Sequence, residues 1–193
     1  MEDRYTLVMT KARLVPILLA ALFSLGAAPD GKPVKDWPLF TAPDGSFSVR
    51  LPGRPEVSGS PPDATYLVRF GDTVTYYVTT TKLPDLFRAA PWELIAESAR
   101  DATVESFGEY GPSKLIRSEP CELSGHPCIT FMAEANPKGF PRTWMVTKLI
   151  YMGDSTIGVV HSAPAKGFDQ ARTDEYLASF QLLEGKTKKE SER

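Results

Sequence analysis

The chain is poor in the residues that do most protein chemistry: among its 193 residues are two histidines and two cysteines. Cys121 and Cys128 with the nearby His126 would supply three ligands, one short of a tetrahedral zinc site. The two cysteines stand too far apart for a Cys-x-x-Cys redox pair. There is no G-x-S-x-G elbow; the nearest text, Ser58-Gly59-Ser60, lies in a proline-rich stretch. There is no glycine-rich phosphate loop and no repeat at a fixed period, and no cofactor is expected. Charge of one sign is scarce too: 22 basic against 24 acidic residues leave a net charge of -2. That balance offers no electrostatic footprint for nucleic acid and no polybasic membrane anchor. Long apolar runs are also missing. Leu14–Leu25, LVPILLAALFSL, is well short of the ~20 residues that span a hydrocarbon core.

What that short run does fit is a secretory signal. Lys11 and Arg13 precede it, and small residues follow it. Two cleavage points suit it: after Gly26, or after Ala28, where Pro29 is a poor next residue. Met9 gives a better-proportioned start than Met1. The expected organisation is a signal peptide over 1–28, a polar linker over 29–36, one domain over 37–183 and a charged flexible tail over 184–193. The expected destination is the periplasm or the exterior, with no stable membrane span after cleavage.

Export bears on the cysteines. If Ser124-Gly125 is a two-residue hairpin turn, Cys121 faces Cys128 and Pro127 occupies a position that needs no donor. A Cys121–Cys128 disulfide is the expectation for an oxidising compartment, with two reduced thiols as the alternative. The shared face also carries Thr130 and Met132, whereas Ile129 and Phe131 point to the expected core, so the bond is expected to clamp the hairpin outside that core.

Seventeen prolines and clear alternation point to many strands and turns. Phe47, Val49 and Leu51 alternate with Ser48 and Arg50; Pro52 to Asp63 reads as a loop rich in breakers. Tyr66–Phe70 and Thr73–Thr81 read as a hairpin, with Val74, Tyr76 and Val78 on one face and Thr75, Tyr77 and Thr79 on the other. Pro91–Phe107 has helical spacing, with Pro91 suited to the first turn. Lys114–Leu123, His126–Ala135, Phe140–Met152 and Thr156–Ser162 follow as strands, and Asp169–Phe180 as a last helix. The fold class is α+β: an antiparallel sheet built of hairpins, with helices packed on it.

Two sets of residues could carry function. Arg142, Trp144 and Lys148 share one face of a strand, and with Tyr77 they make a candidate interaction surface. The competing reading has Trp144 packed under a helix with Lys148 snorkelling at its edge. His161, with Ser162 beside it and Asp154 and Asp169 nearby, is a remote candidate for a hydrolase triad.

Trp37 and Phe40 ahead of GSFSVRLPGRP, then TWMVTKLIYMGDSTIGVV and a helix into SFQLL, resemble PsbP-like domains and related exported bacterial proteins. The resemblance covers Trp37 to Leu183 and implies an α/β sandwich around a central antiparallel sheet. Plant PsbP proteins are extrinsic photosystem II subunits; no contact motif for that role is present here. The expected function is a non-enzymatic exported accessory or interaction module with a protein partner. The alternative is a domain binding a small apolar ligand or lipid between the sheet and the Pro91–Phe107 helix.

Overall fold

The computed structural model describes residues 31–183 except 72, 88–89 and 109–110. The expected signal peptide and charged tail lie outside the described residues. Seven antiparallel strands form the main sheet: β3 (Glu56–Ser60), β4 (Asp63–Phe70), β5 (Val74–Lys82), β6 (Ser113–Leu123), β7 (His126–Ala135), β8 (Thr143–Tyr151) and β9 (Ser155–Pro164). Their order is β3-β4-β5-β9-β8-β7-β6. A second sheet of three strands, β1 (Leu39–Thr41), β2 (Phe47–Arg50) and β10 (Gln181–Leu182), has β2 in its centre. Helix α1 (Trp92–Gly108) packs on one face of the main sheet; helix α2 (Gln170–Ala178) and the small sheet cover the other.

Alternation decides which side chains meet which layer. On the α2 face, Tyr76, Val78, Val146, Ile150 and Val159 join Phe47, Val49 and Leu51 of the small-sheet segment and Tyr176, Leu177 and Phe180 of the C-terminal segment. Phe47 stands at the junction, with ring centroids 5.6 Å from Tyr66 and 5.4 Å from Phe180. On the α1 face, Ile129, Phe131, Ala133, Met145 and Val160 meet Ala96, with Trp92, Val104 and Phe107 at the margin. Asp169 caps α2 by accepting from the Arg172 N–H at 3.0 Å, which satisfies an otherwise orphan donor. The antiparallel sheet with helices on it agrees with the fold class read from the sequence.

Four details differ from that reading. Alternation along the strands reads as burial of one face, yet the middle of β9 is buried on both faces, because each face of the sheet has its own covering layer. The expected loop over 52–63 contains β3, an edge strand that Pro55 and Pro61 bound and whose residues are all exposed. The expected linker contributes to the domain, since Val34–Asp36 forms a 3-10 turn that buries Val34 in the core. Finally, the cysteine face is itself a core face.

The cysteine hairpin follows the expected register, with Leu123 opposite His126 and Cys121 opposite Cys128. Ser124 and Gly125 take φ of 53° and 78°, the double left-handed geometry that matches a two-residue turn to strand twist. Cys121 and Cys128 form a disulfide with Cα atoms 4.8 Å apart. Cys128 is buried in the α2-face cluster, with Cys121 packed against it, so the bond belongs to the core.

Candidate functional site

The register of four strands lines up Lys114, Glu134, Trp144 and Ala163 across one face of the sheet. Glu134 is the hub of this row. The Trp144 indole Nε1–H donates to Glu134 Oε2 at 2.8 Å. Lys114 Nζ lies 3.3 Å from Oε1, and Arg142 Nη1 lies 3.7 Å from Oε2. The Trp144 hydrogen bond foremost, then the two cations, hold the Glu134 carboxyl below the usual carboxylate range. Burial of this side chain, which is 14 % exposed, opposes them. The Lys114 and Arg142 side chains are 64 % and 59 % exposed and keep further N–H donors facing water. Trp144 packs edge-on against Phe168, with centroids 5.3 Å apart. Phe140, on the loop before β8, is 58 % exposed.

Of the residues chosen from sequence, Arg142 and Trp144 therefore come together around a third residue that sequence reasoning passed over. The available signal was a lone carboxylate in the otherwise uncharged strand His126–Ala135. Lys148 points to the same face but is engaged elsewhere: its Nζ donates to the Leu177 carbonyl, 3.3 Å away in the last turn of α2. Burial pushes its pKa down, and Asp174 pulls it back up. That matches the competing reading of a lysine snorkelling beneath a helix, and a cation at a helix C-terminus is favourably placed. Tyr77 does not join the group. It pairs with Leu67 and Val160 and faces the α1 side, where burial pushes its phenol up to about 12. Alternation separated the two faces of its strand but could not say that the one bearing Tyr77 lies across the sheet from Trp144.

His161 is buried in the middle of the α2 face, not solvated at a strand end. It stacks on Tyr76, with centroids 4.2 Å apart and an interplanar angle of 8°, and on Phe168 at 5.4 Å. Its Nδ1 lies 2.8 Å from Thr173 Oγ1, whose hydroxyl donates to the Asp169 carbonyl at 2.7 Å. Ser162 is the next residue along β9 and faces the other side of the sheet, toward α1. Asp154 lies at the opposite end of β9, and the Asp169 carboxylate caps α2. The Ser-His-Asp grouping considered from sequence is thus not assembled. His126, near the turn, is half-buried, with Nδ1 3.2 Å from the Tyr151 carbonyl.

A groove of about 230 Å³ runs between α1 and the sheet, with Trp92, Ala96 and Arg100 on one wall and Ser118, Pro120 and Ile129 on the other. A wider, open depression of about 490 Å³ lies among Lys35, Arg50, Glu175 and Ser179. Among the described residues, no three His, Cys, Asp or Glu side chains are grouped to hold a metal, and no helix is long and apolar enough to cross a membrane.

No protein-family model matches the chain, and no curated protein matches it in sequence. Similarity appears among solved structures. The solution structure of cyanobacterial PsbP (CyanoP) from Synechocystis aligns with a TM-score of 0.56 at 11% identity, covering 76% of this chain and 92% of that one. A Bacteroides thetaiotaomicron protein aligns at 0.47 and 11% identity, covering 76% of this chain and 48% of that one. A Pseudomonas aeruginosa protein of unknown function aligns at 0.46 and 9% identity, covering 73% and 92%. The strand and helix arrangement described above is a PsbP-like fold, as the resemblance in sequence implied.

Proposed function

We propose that this protein is an exported, non-enzymatic accessory module that docks on a protein partner through the surface around Trp144. The observation that carries the reading is the sharing of one carboxylate, Glu134, by two exposed cations, Lys114 and Arg142. A single negative charge cannot neutralise both, so net positive charge and free donors remain beside the half-buried Trp144 and the exposed Phe140. Arginine and aromatic side chains at the rim of a rigid sheet are what an acidic protein surface would meet. The signal-like segment before the domain and the Cys121–Cys128 disulfide support export, since such bonds persist in oxidising compartments.

The test is a photo-crosslinking residue placed at Phe140 in the native host. A discrete protein adduct is expected, and it should fade when Arg142 and Lys114 are changed to Glu. No adduct at 140, with none at 114 either, would sink the reading.

A second reading is favoured by the groove beside α1, which lies where a ligand between sheet and helix was expected. At about 230 Å³ it falls below the roughly 300–1,000 Å³ of sites that enclose drug-sized molecules, and it suits only a small apolar group. Native mass spectrometry of protein from its host discriminates: a co-purified small molecule lost on Ala96→Trp would favour this second reading.

A further inference from the structure

Among the described residues, two buried side-chain polar atoms have no hydrogen-bond partner: Thr147 Oγ1 and His161 Nε2. A hydroxyl can rotate toward a neighbouring group; an imidazole nitrogen held between two rings cannot. The bonding around His161 also fixes its proton. With the Thr173 hydroxyl hydrogen on the Asp169 carbonyl, its oxygen accepts from His161 Nδ1–H; the opposite tautomer would bury an unpaired Nε2–H donor, the costlier arrangement. Nε2 therefore carries a bare lone pair inside a closed aromatic seam, and the ring is neutral.

None of the polar groups packed around the ring reaches Nε2. From β5 comes Tyr76, stacked flat on the imidazole. From α2 come Thr173, Tyr176, Arg172 and Asp169. Tyr176 gives its hydroxyl to the Tyr77 carbonyl at 3.0 Å, and the Asp169 carboxylate is engaged at the helix start by the Arg172 backbone and, at 3.9 Å, its guanidinium. From β8, Val146 is the direct neighbour, Trp144 is committed to Glu134, and Lys148 to the Leu177 carbonyl. Phe168 closes the other face of the ring.

We propose that His161 is an acid-sensitive latch for α2: neutral, its ring completes the seam beneath the helix, and protonated, it forces the helix to lift. The new Nε2–H would need an acceptor that the closed seam lacks, and water can supply one only if Phe168 and α2 move away. The seven-stranded ladder does not run through α2, a nine-residue helix joined to β9 on one side and to β10 on the other, so the lift draws Tyr176 and Leu177 out of the α2-face core while the ladder stays paired. Lifting it would uncover Tyr76 and Val146 next to Trp144.

Burial chiefly, with Arg172 adding to it and Asp169 opposing, pulls the His161 pKa from 6.5 down to about 4. The lifted state, with an ordinary imidazole, binds the proton more tightly, so closure is fully favoured above about pH 6.5 and weakens as pH falls toward 4. Between pH 7 and pH 5 the opening equilibrium should rise roughly twentyfold, still above the range where ordinary carboxylates titrate.

Hydrogen exchange of the full chain tests this. Protection over α2 should fall roughly twentyfold from pH 7 to pH 5 while β8 and β9 change less than threefold, and His161→Leu should abolish the α2 effect. Unchanged α2 protection at pH 5, or the same fall in His161→Leu, would overturn the proposal. If that variant fails to fold, an NMR titration of the native protein decides. His161 titrating only well below 6.5, together with shifts at Thr173 and Tyr176, supports the latch; titration near 6.5 without those shifts overturns it.

Discussion

Single residues in this molecule act through what they share. Glu134 holds Trp144, Lys114 and Arg142 with one carboxylate, so its replacement should be felt at the indole before it is felt in the fold. Glu134→Gln keeps the shape and removes the charge. The two cations should then part and Trp144 should become more mobile. The expected readout is a weaker, red-shifted Trp144 emission in a background where Trp37 and Trp92 are Phe, with little change in unfolding midpoint. An unchanged spectrum would mean that a neutral amide oxygen accepts from the indole as well as the carboxylate does, so that charge does not position Trp144. Tyr176 makes a different kind of contact. Its buried hydroxyl donates to the Tyr77 carbonyl of β5, so Tyr176→Phe should cost about 1 kcal/mol by denaturant titration. At this scale the sequence was half legible. Arg142 and Trp144 could be chosen because side chains two apart share a strand face. Glu134 could be noticed only as an isolated carboxylate, and its row with Lys114 not at all, because a cross-strand row depends on the register of three strands, and the bulge between Leu115 and Arg117 shifts that register.

Among the elements, the cysteine hairpin was the most readable, because a two-residue turn fixes every opposite pair behind it. The pairing of Cys121 with Cys128 followed from that count alone. What the count could not give was burial. Both faces of β7 are covered, one by α1 and the other as part of the α2-side core, so alternation marked two sides without marking an outside. The strand β3 was hidden for a related reason: proline and glycine around it read as loop, yet on a sheet edge they carry no penalty. The turn itself leaves room for improvement. Ser124 holds φ of 53°, a region that asparagine enters more readily than serine. Ser124→Asn should therefore stabilise the protein by up to about 1 kcal/mol, seen as a raised thermal midpoint under oxidising conditions. A lowered midpoint would show that the Ser124 side chain makes a contact of its own worth more than the backbone preference.

Over the whole molecule, the small sheet acts as a keystone between the beginning and the end of the domain. Phe47 sits fully buried where β2, β4 and the end of α2 converge. Phe47→Ala should cost roughly 3–5 kcal/mol, a large part of the ~5–15 kcal/mol that holds a typical domain together. Equilibrium denaturation should show the midpoint falling in one cooperative step; two separate steps would mean that the small sheet melts apart from the main one. The α+β class was legible because hairpins and helices each carry their own periodicity. The sandwich around a central sheet was legible only through the PsbP-like resemblance, and which segment covers which face was not, because nothing local in a strand records what distant segment will cover it.

The strand order also sets a rule about time. β5 cannot gain its second neighbour until β9 exists, and β2 cannot gain β10 until Gln181 and Leu182 exist. The Arg50 N–H reaches the Ser179 hydroxyl across 129 residues of chain. Closing spans of that length is entropically slow, and no stretch short of nearly the full length satisfies the middle of the sheet. A chain delivered end first, from a ribosome or through a narrow pore, would thus stay pliable until its last segment arrived. The same late pairing that completes the structure keeps it threadable beforehand, and it places the decisive folding step on the far side of whatever opening the chain has just passed.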